Sequence, residues 1–159
     1  MIARYGVTSL RRRRTTLVGY FQLGQSYVSE NPILATQLYA SGLPIEPDDA
    51  DGHTNLGLIL PSQGDPENAL RHLHKALTLG GEKSLVWNNI GSAELRRGQV
   101  DNGIEAFRRA LDNDPCRFDA RWNLIRTLLS IGEKEGRPCR RPYPCDLPLP
   151  ARTGTKARR

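Results

Sequence analysis

The sequence predicts an all-α protein built as a solenoid of stacked helical hairpins, and three observations carry that prediction. Apolar, small and helix-breaking residues recur at a 34-residue interval through the middle of the chain. Within each interval they keep one order: a large apolar residue followed by glycine, then a small residue, then a large one, then a helix breaker. The regularity stops after Gly132, where the composition turns to proline, arginine and cysteine. A fixed period of this length means stacked hairpins, because no single unit can bury its apolar face alone. Such a chain presents a surface rather than enclosing a pocket.

Each element follows in order. Tyr20-x2-Leu23-Gly24-x2-Tyr27 marks the first helix. Asn31-Pro32 then sets a capping side chain before a proline at the first helical position, which starts the second helix. That helix carries Ala35 and Tyr39 and is expected to end at Pro47. The second copy reads Leu56-Gly57, Gly64, Asp65-Pro66, Ala69, Leu73, Ala76 and Gly81. The third reads Trp87-x2-Ile90-Gly91, Ala93, Gly98, Phe107, Ala110 and Pro115. Leu124, Leu128 and Gly132 continue the phase, giving a helix over roughly 117–131 with Gly132 at the turn position. Pro138, Pro142, Pro144, Pro148 and Pro150 forbid a helix through the following stretch. Seven helices, or about three and a half repeats, are expected. The first half of the first copy sits 33 residues before the next, so its internal turn is one residue short. Gly24, Gly57 and Gly91 let the second helix of each hairpin approach the first, with Ala35, Ala69 and Gly103 facing them. Tyr39, Leu73 and Phe107 should fill the gap to the next hairpin. The chain thus divides into a basic flexible leader over 1–18, the solenoid over 19–132 and a Pro/Arg-rich disordered tail over 133–159.

These residues resemble the tetratricopeptide repeat, with its pattern W-x2-L-G-x2-Y, then A-x3-F, then P. The resemblance covers about residues 19–132. It implies a right-handed superhelix in which the first helix of each repeat lines a concave groove where partners lie.

Charge narrows the partners. Five arginines and no acids precede residue 20, and after residue 132 eight basic residues face three acidic ones. The repeats between them hold 10 basic and 14 acidic residues, so the net charge of +6 belongs to the flanks. Nucleic-acid binding needs a basic stripe on a folded face, and the repeats supply none. Cys116, Cys139 and Cys145 are an odd set without paired spacing, which argues against a disulfide framework and for a reducing compartment. His72 and His74 point in different directions on one helix and read as surface residues, not metal ligands. Arg11–Arg14 before Leu17 faintly imitates a signal peptide, but the apolar stretch is short and runs straight into the first repeat. Cytoplasmic location is expected, with no membrane span.

No phosphate loop, nucleophile elbow, zincin helix or paired-carboxylate constellation is present. Gly80-Gly81-Glu82-Lys83-Ser84 lacks the first glycine at Walker spacing. The expectation is a non-catalytic chain without cofactor.

The residue before the motif Leu or Ile is Gln22, Asn55, Asn89 and Asn123, and the last three recur at intervals of 34. An amide carries both donor and acceptor groups, so it pairs with a peptide bond whatever the partner's side chains. This ladder resembles the asparagine ladder of the repeat domains of protein O-GlcNAc transferases, which implies a groove holding an extended peptide by its backbone. Phe21 and Trp122 lie one residue earlier in their helices, either as aromatic anchors at the groove ends or packed against a flank. The related clamp for chaperone C-termini needs basic groove residues, whereas the corresponding stretches here offer Thr54, Leu58 and Leu85. Two function classes follow. The chain is a protein-interaction module, acting as an adaptor or assembly chaperone; or it is the truncated N-terminal targeting module of a larger enzyme, such as a glycosyltransferase or sulfotransferase, that has lost its catalytic part. Trp122, Leu124, Ile125, Leu128, Leu129 and Ile131 cover more than one side of the last helix, which predicts self-association through it.

Overall fold

Two of the helices begin where a capping side chain meets a proline. In a computed structural model describing residues 19–134, a first helix, α1 (19–27), is followed by α2 (Pro32–Gly42), α3 (Ala50–Ile59), α4 (Pro66–Thr78), α5 (Lys83–Arg96), α6 (Val100–Asn113) and α7 (Phe118–Lys134). Asn31 Oδ1 accepts from the Leu34 N–H at 3.1 Å, and Asp65 Oδ1 accepts from Asn68 N–H at 3.2 Å, each one residue before a proline. Asp49 caps α3 through the Gly52 N–H. Hydrogen bonds from Asn68, side chain first and then backbone, hold the Asp65 carboxyl below the usual carboxylate range. Four hairpin halves on one side alternate with three on the other, and the described residues contain no strand.

Within each hairpin the large residue of the second helix lies on the glycine of the first. A Cβ at Gly91 would stand 2.5 Å from Phe107 Cε1, and one at Gly24 would stand 3.0 Å from Tyr39 Cζ. The same side chains reach across to the next hairpin. Tyr39 packs with Leu56 and Ile59, and Phe107 packs with Ala120 and Leu124. Leu73 does both as well, sitting over Gly57 and joining Val86 and Ile90. The core of the described residues is therefore three clusters, one at each junction between successive units and bridged by Leu60 and Trp87, as expected where stability comes from nearest neighbours.

Turn chemistry explains the missing residue of the first copy. Gly64 and Gly98 adopt φ of +85° and +79° in the turns after α3 and α5, a region that favours glycine. The first hairpin turns through residues 28–31 without a glycine. Pro61 adds a second irregularity: it ends α3 early and converts its last turn into a 3-10 helix, Leu60–Gln63.

Three expectations need correction. Gly132 does not end α7, which runs on to Lys134, because no left-handed glycine interrupts it as Gly98 interrupts the preceding copy. Helix α2 ends at Gly42, well before Pro47, through a backbone cap from Leu43 N–H to the Tyr39 carbonyl. His72 is half-buried rather than a surface residue, because it lies against His53. The leader (residues 1–18), Cys139, Cys145 and the tail beyond Lys134 lie outside the described residues.

A candidate peptide groove

The groove residues come from the first helices of the repeats, at the positions just before the buried Leu or Ile. Asn55 on α3 is partly exposed, and Asn89 on α5 is only 3% exposed. Asn89 lines an open depression between α3 and α5, about 100 Å³ in volume, together with Gly57, Leu58, Ser62, Ser92 and Arg96. Its Nδ2 is buried and has no hydrogen-bond partner among the described residues. Asn123 on α7 donates from Nδ2 to Asn88 Oδ1 at 3.0 Å. Gln22 on α1 is exposed.

The three asparagines are thus equivalent in sequence and different in state. Asn88, which the 34-residue phase did not single out, is the cause. It is buried and supplies the acceptor that holds Asn123. One repeat earlier its place is taken by Thr54, whose hydroxyl donates to the Ala50 carbonyl at 2.8 Å. A threonine turned back onto its own helix offers no carbonyl to the next repeat. The amide of Asn89 accordingly lacks the bond that Asn123 has. The Asn88-Asn89 doublet was the available sequence signal. A buried donor left without a partner costs about 1–3 kcal/mol, which a ligand carbonyl would recover.

The two aromatic candidates separate. Phe21 is partly buried, with its ring 5.8 Å from that of Tyr39, and it also occupies the space beside Gly42 and Gly52. It wedges α1 against α2 and α3. Trp122 remains 54% exposed.

A second depression, between α4, α5 and α6, is lined by His74, Trp87, Glu94, Asn102, Glu105 and Arg109. The Arg109 guanidinium lies 4.7 Å from the Trp87 ring centroid and pairs with Glu105 at 3.5 Å. The motif tryptophan is therefore roofed by a cation–π contact. Two histidines form a further polar contact at the α3–α4 hairpin. His53 Nε2 lies 3.0 Å from the Pro47 carbonyl, so that nitrogen carries the proton, and His53 Nδ1 accepts from His72 Nδ1, 2.8 Å away. Burial, and then the neighbouring His53, lower the His72 pKa below the usual imidazole value, against a smaller opposing effect of Asp65.

With the repeat geometry in place, the comparisons with known proteins are informative. A profile for the family described as Tetratricopeptide repeat matches residues 54–117 and 88–136. The chain belongs to the tetratricopeptide repeat family. It is 29% identical over 77 residues to a peroxisomal targeting signal receptor of Saccharomyces cerevisiae, a match spanning 48% of this chain and 13% of that receptor. Among solved structures it superposes on the first tetratricopeptide domain of Spaghetti (RPAP3) bound to the HSP90 peptide SRMEEVD. The TM-score is 0.66 at 16% identity, covering 74% of this chain and 94% of that one. An O-GlcNAc transferase from Thermobaculum terrenum gives a TM-score of 0.69 at 24% identity, covering 74% of this chain and 23% of that one. These likenesses show the right-handed superhelical fold expected from the sequence. No helix among the described residues is long and apolar enough to cross a membrane.

Proposed function

We propose that this chain is a non-catalytic protein–protein interaction module that holds an extended segment of a partner along the groove of α1, α3, α5 and α7. The observation that carries the reading is the Asn89 amide, buried, without a partner among the described residues and set in an open depression. A backbone carbonyl of an extended segment supplies the acceptor it lacks. Asn55, partly exposed one repeat away, extends the same recognition, and Arg96 at the rim favours an acidic or carbonyl-rich stretch. Asn123 contributes by opening its bond to Asn88, which makes it the weaker rung. Phe21 serves the fold of the groove end, and Trp122 does not line the depression that holds Asn89. The chaperone-tail clamp remains disfavoured, since Thr54 and Leu58 occupy groove positions where it needs cations. The role is that of an adaptor or assembly chaperone in a reducing compartment such as the cytoplasm.

A second reading places the same groove in a larger enzyme, such as a glycosyltransferase or sulfotransferase, to which it delivers protein substrates. The ladder of Asn55, Asn89 and Asn123 supports it, and a catalytic segment encoded in frame with these repeats separates it from the first.

The test is a displayed library of random unstructured peptides, selected on the full chain and titrated individually. Selected peptides should bind wild type and lose roughly tenfold in affinity with Asn89→Leu, the equivalent of one to two hydrogen bonds. Unchanged affinity in Asn89→Leu and in Asn55→Ala overturns the groove reading.

A further inference from the structure

The last described helix carries a second apolar stripe that the stack does not use. Phe118, Trp122 and Leu129 are 74%, 54% and 36% exposed, and Ile125 between them is partly exposed. Their spacing of four, three and four residues is that of a coiled-coil seam. Ala120, Leu124 and Thr127 are buried on the opposite face. Leu128 and Ile131 pack on the core cluster shared with α6 and do not belong to the stripe.

The stripe is not shaped for the helix that closes a repeat. One period earlier its four places are held by Ser84, Asn88, Gly91 and Leu95. Gly91 is where the Phe107 ring lies directly on α5, and in α7 that place is filled by Ile125. A β-branched side chain there keeps any neighbouring helix at ordinary side-chain packing distance. The sequence that follows lacks the motif residues of such a closing helix. Where α6 carries Gly103, Phe107 and Ala110, the next period carries Arg137, Arg141 and Pro144.

The flanking charges show what does fit. Asp119 and Arg126 are both exposed and lie along the same edge of the stripe, seven residues apart. When two identical helices pack antiparallel about a two-fold axis, equivalent flanking edges face each other. Phe118 then meets Leu129 of the partner subunit, and Trp122 meets Ile125 of the partner subunit. In that register Asp119 lies beside Arg126 of the partner subunit, and the reciprocal pair forms at the other end. We infer that α7 is a homodimerisation helix, and that the occupant of its open stripe is the α7 of a second copy of this chain, packed antiparallel. One helix pair is a small interface, so the dimer is reversible and concentration-dependent.

Sedimentation velocity of the full chain over a hundredfold range of concentration tests this, with circular dichroism as the folding control. Wild type should pass from monomer to dimer. Leu129→Glu should stay monomeric at the highest concentration. Asp119→Arg and Arg126→Asp should each weaken the dimer by about fivefold or more. The two reversals combined in one chain should restore it. All three charge variants alter exposed positions, so they leave the fold intact. A wild type that is monomeric throughout overturns the proposal. A dimer indifferent to these substitutions, or a double reversal no better than the singles, overturns it as well.

Discussion

The first and third hairpins are written with the same motif and finished differently. In the first, Leu23 precedes the close-approach glycine and is 49% exposed; in the third, Ile90 stands at that position and is 3% exposed. The residue before it follows suit, since Gln22 is exposed and Asn89 is buried. The two hairpins share their internal packing: Tyr39 lies on Gly24 as Phe107 lies on Gly91. What differs is the neighbour. Helix α5 packs on the preceding hairpin, α3 and α4, whereas no described element packs on the outer side of α1. A motif residue in a solenoid is therefore buried by the preceding unit, and its sequence position alone does not bury it.

The largest effect that tests this contrast is core truncation. Phe107→Ala should cost about 3–5 kcal/mol, because it empties a site that serves both the interior of its own hairpin and the junction with α7, while Leu23→Ala should cost less than about 1 kcal/mol. Urea unfolding of the two variants measures the difference, and equal losses would mean that α1 is covered in solution.

Added bulk comes next. Gly91→Ala drives a methyl into the Phe107 ring and should cost about 1–3 kcal/mol. Gly24→Ala meets Tyr39 at the longer 3.0 Å and should cost distinctly less in the same titration.

The large residues of the two hairpins supply a smaller and opposite effect. The Tyr39 hydroxyl is buried without a partner among the described residues, and burial pushes its pKa to about 12. Phe107 carries no such group. Tyr39→Phe should therefore stabilise the protein by about 1 kcal/mol at neutral pH. The folded pKa lies above the unfolded value near 10, so the wild type gives up stability as pH rises from about 10 to 12. The Phe variant should lose less over that window, and its melting curve against pH is the measurement.

The smallest expected effect lies in the hairpin between them. The His72 pKa is lowered from its usual 6.5, so its contribution is present above that pH and is lost as pH falls through the lowered folded value, the unfolded chain taking up its proton first. A modest fall in melting temperature below pH 6.5 should shrink in His72→Gln.

Most of the fold could be read from the chain because its period is long and its residue types are constrained. Gly, Ala and Pro at fixed steps leave few alternatives, and the capping roles of Asn31 and Asp65 follow from the prolines beside them. The states of the groove asparagines could not be read in this way. Asn55, Asn89 and Asn123 are one residue type at one phase, and what separates them lies a repeat away, in Thr54 and Asn88. His53 went unmarked for the same reason, since its partner His72 is 19 residues distant.

The sequence by itself determined the seven helices of the described residues, the packing of a large side chain on a glycine inside each hairpin and the place where the regular period stops. These depend on local backbone and steric rules that a short window contains. Only the tertiary structure decided which amide is left without a partner, which face of α7 stays open, and that Leu128 belongs to the core while Leu129 does not. Those outcomes depend on what the neighbouring repeat presents, and a 34-residue phase specifies where a side chain points without specifying what it meets.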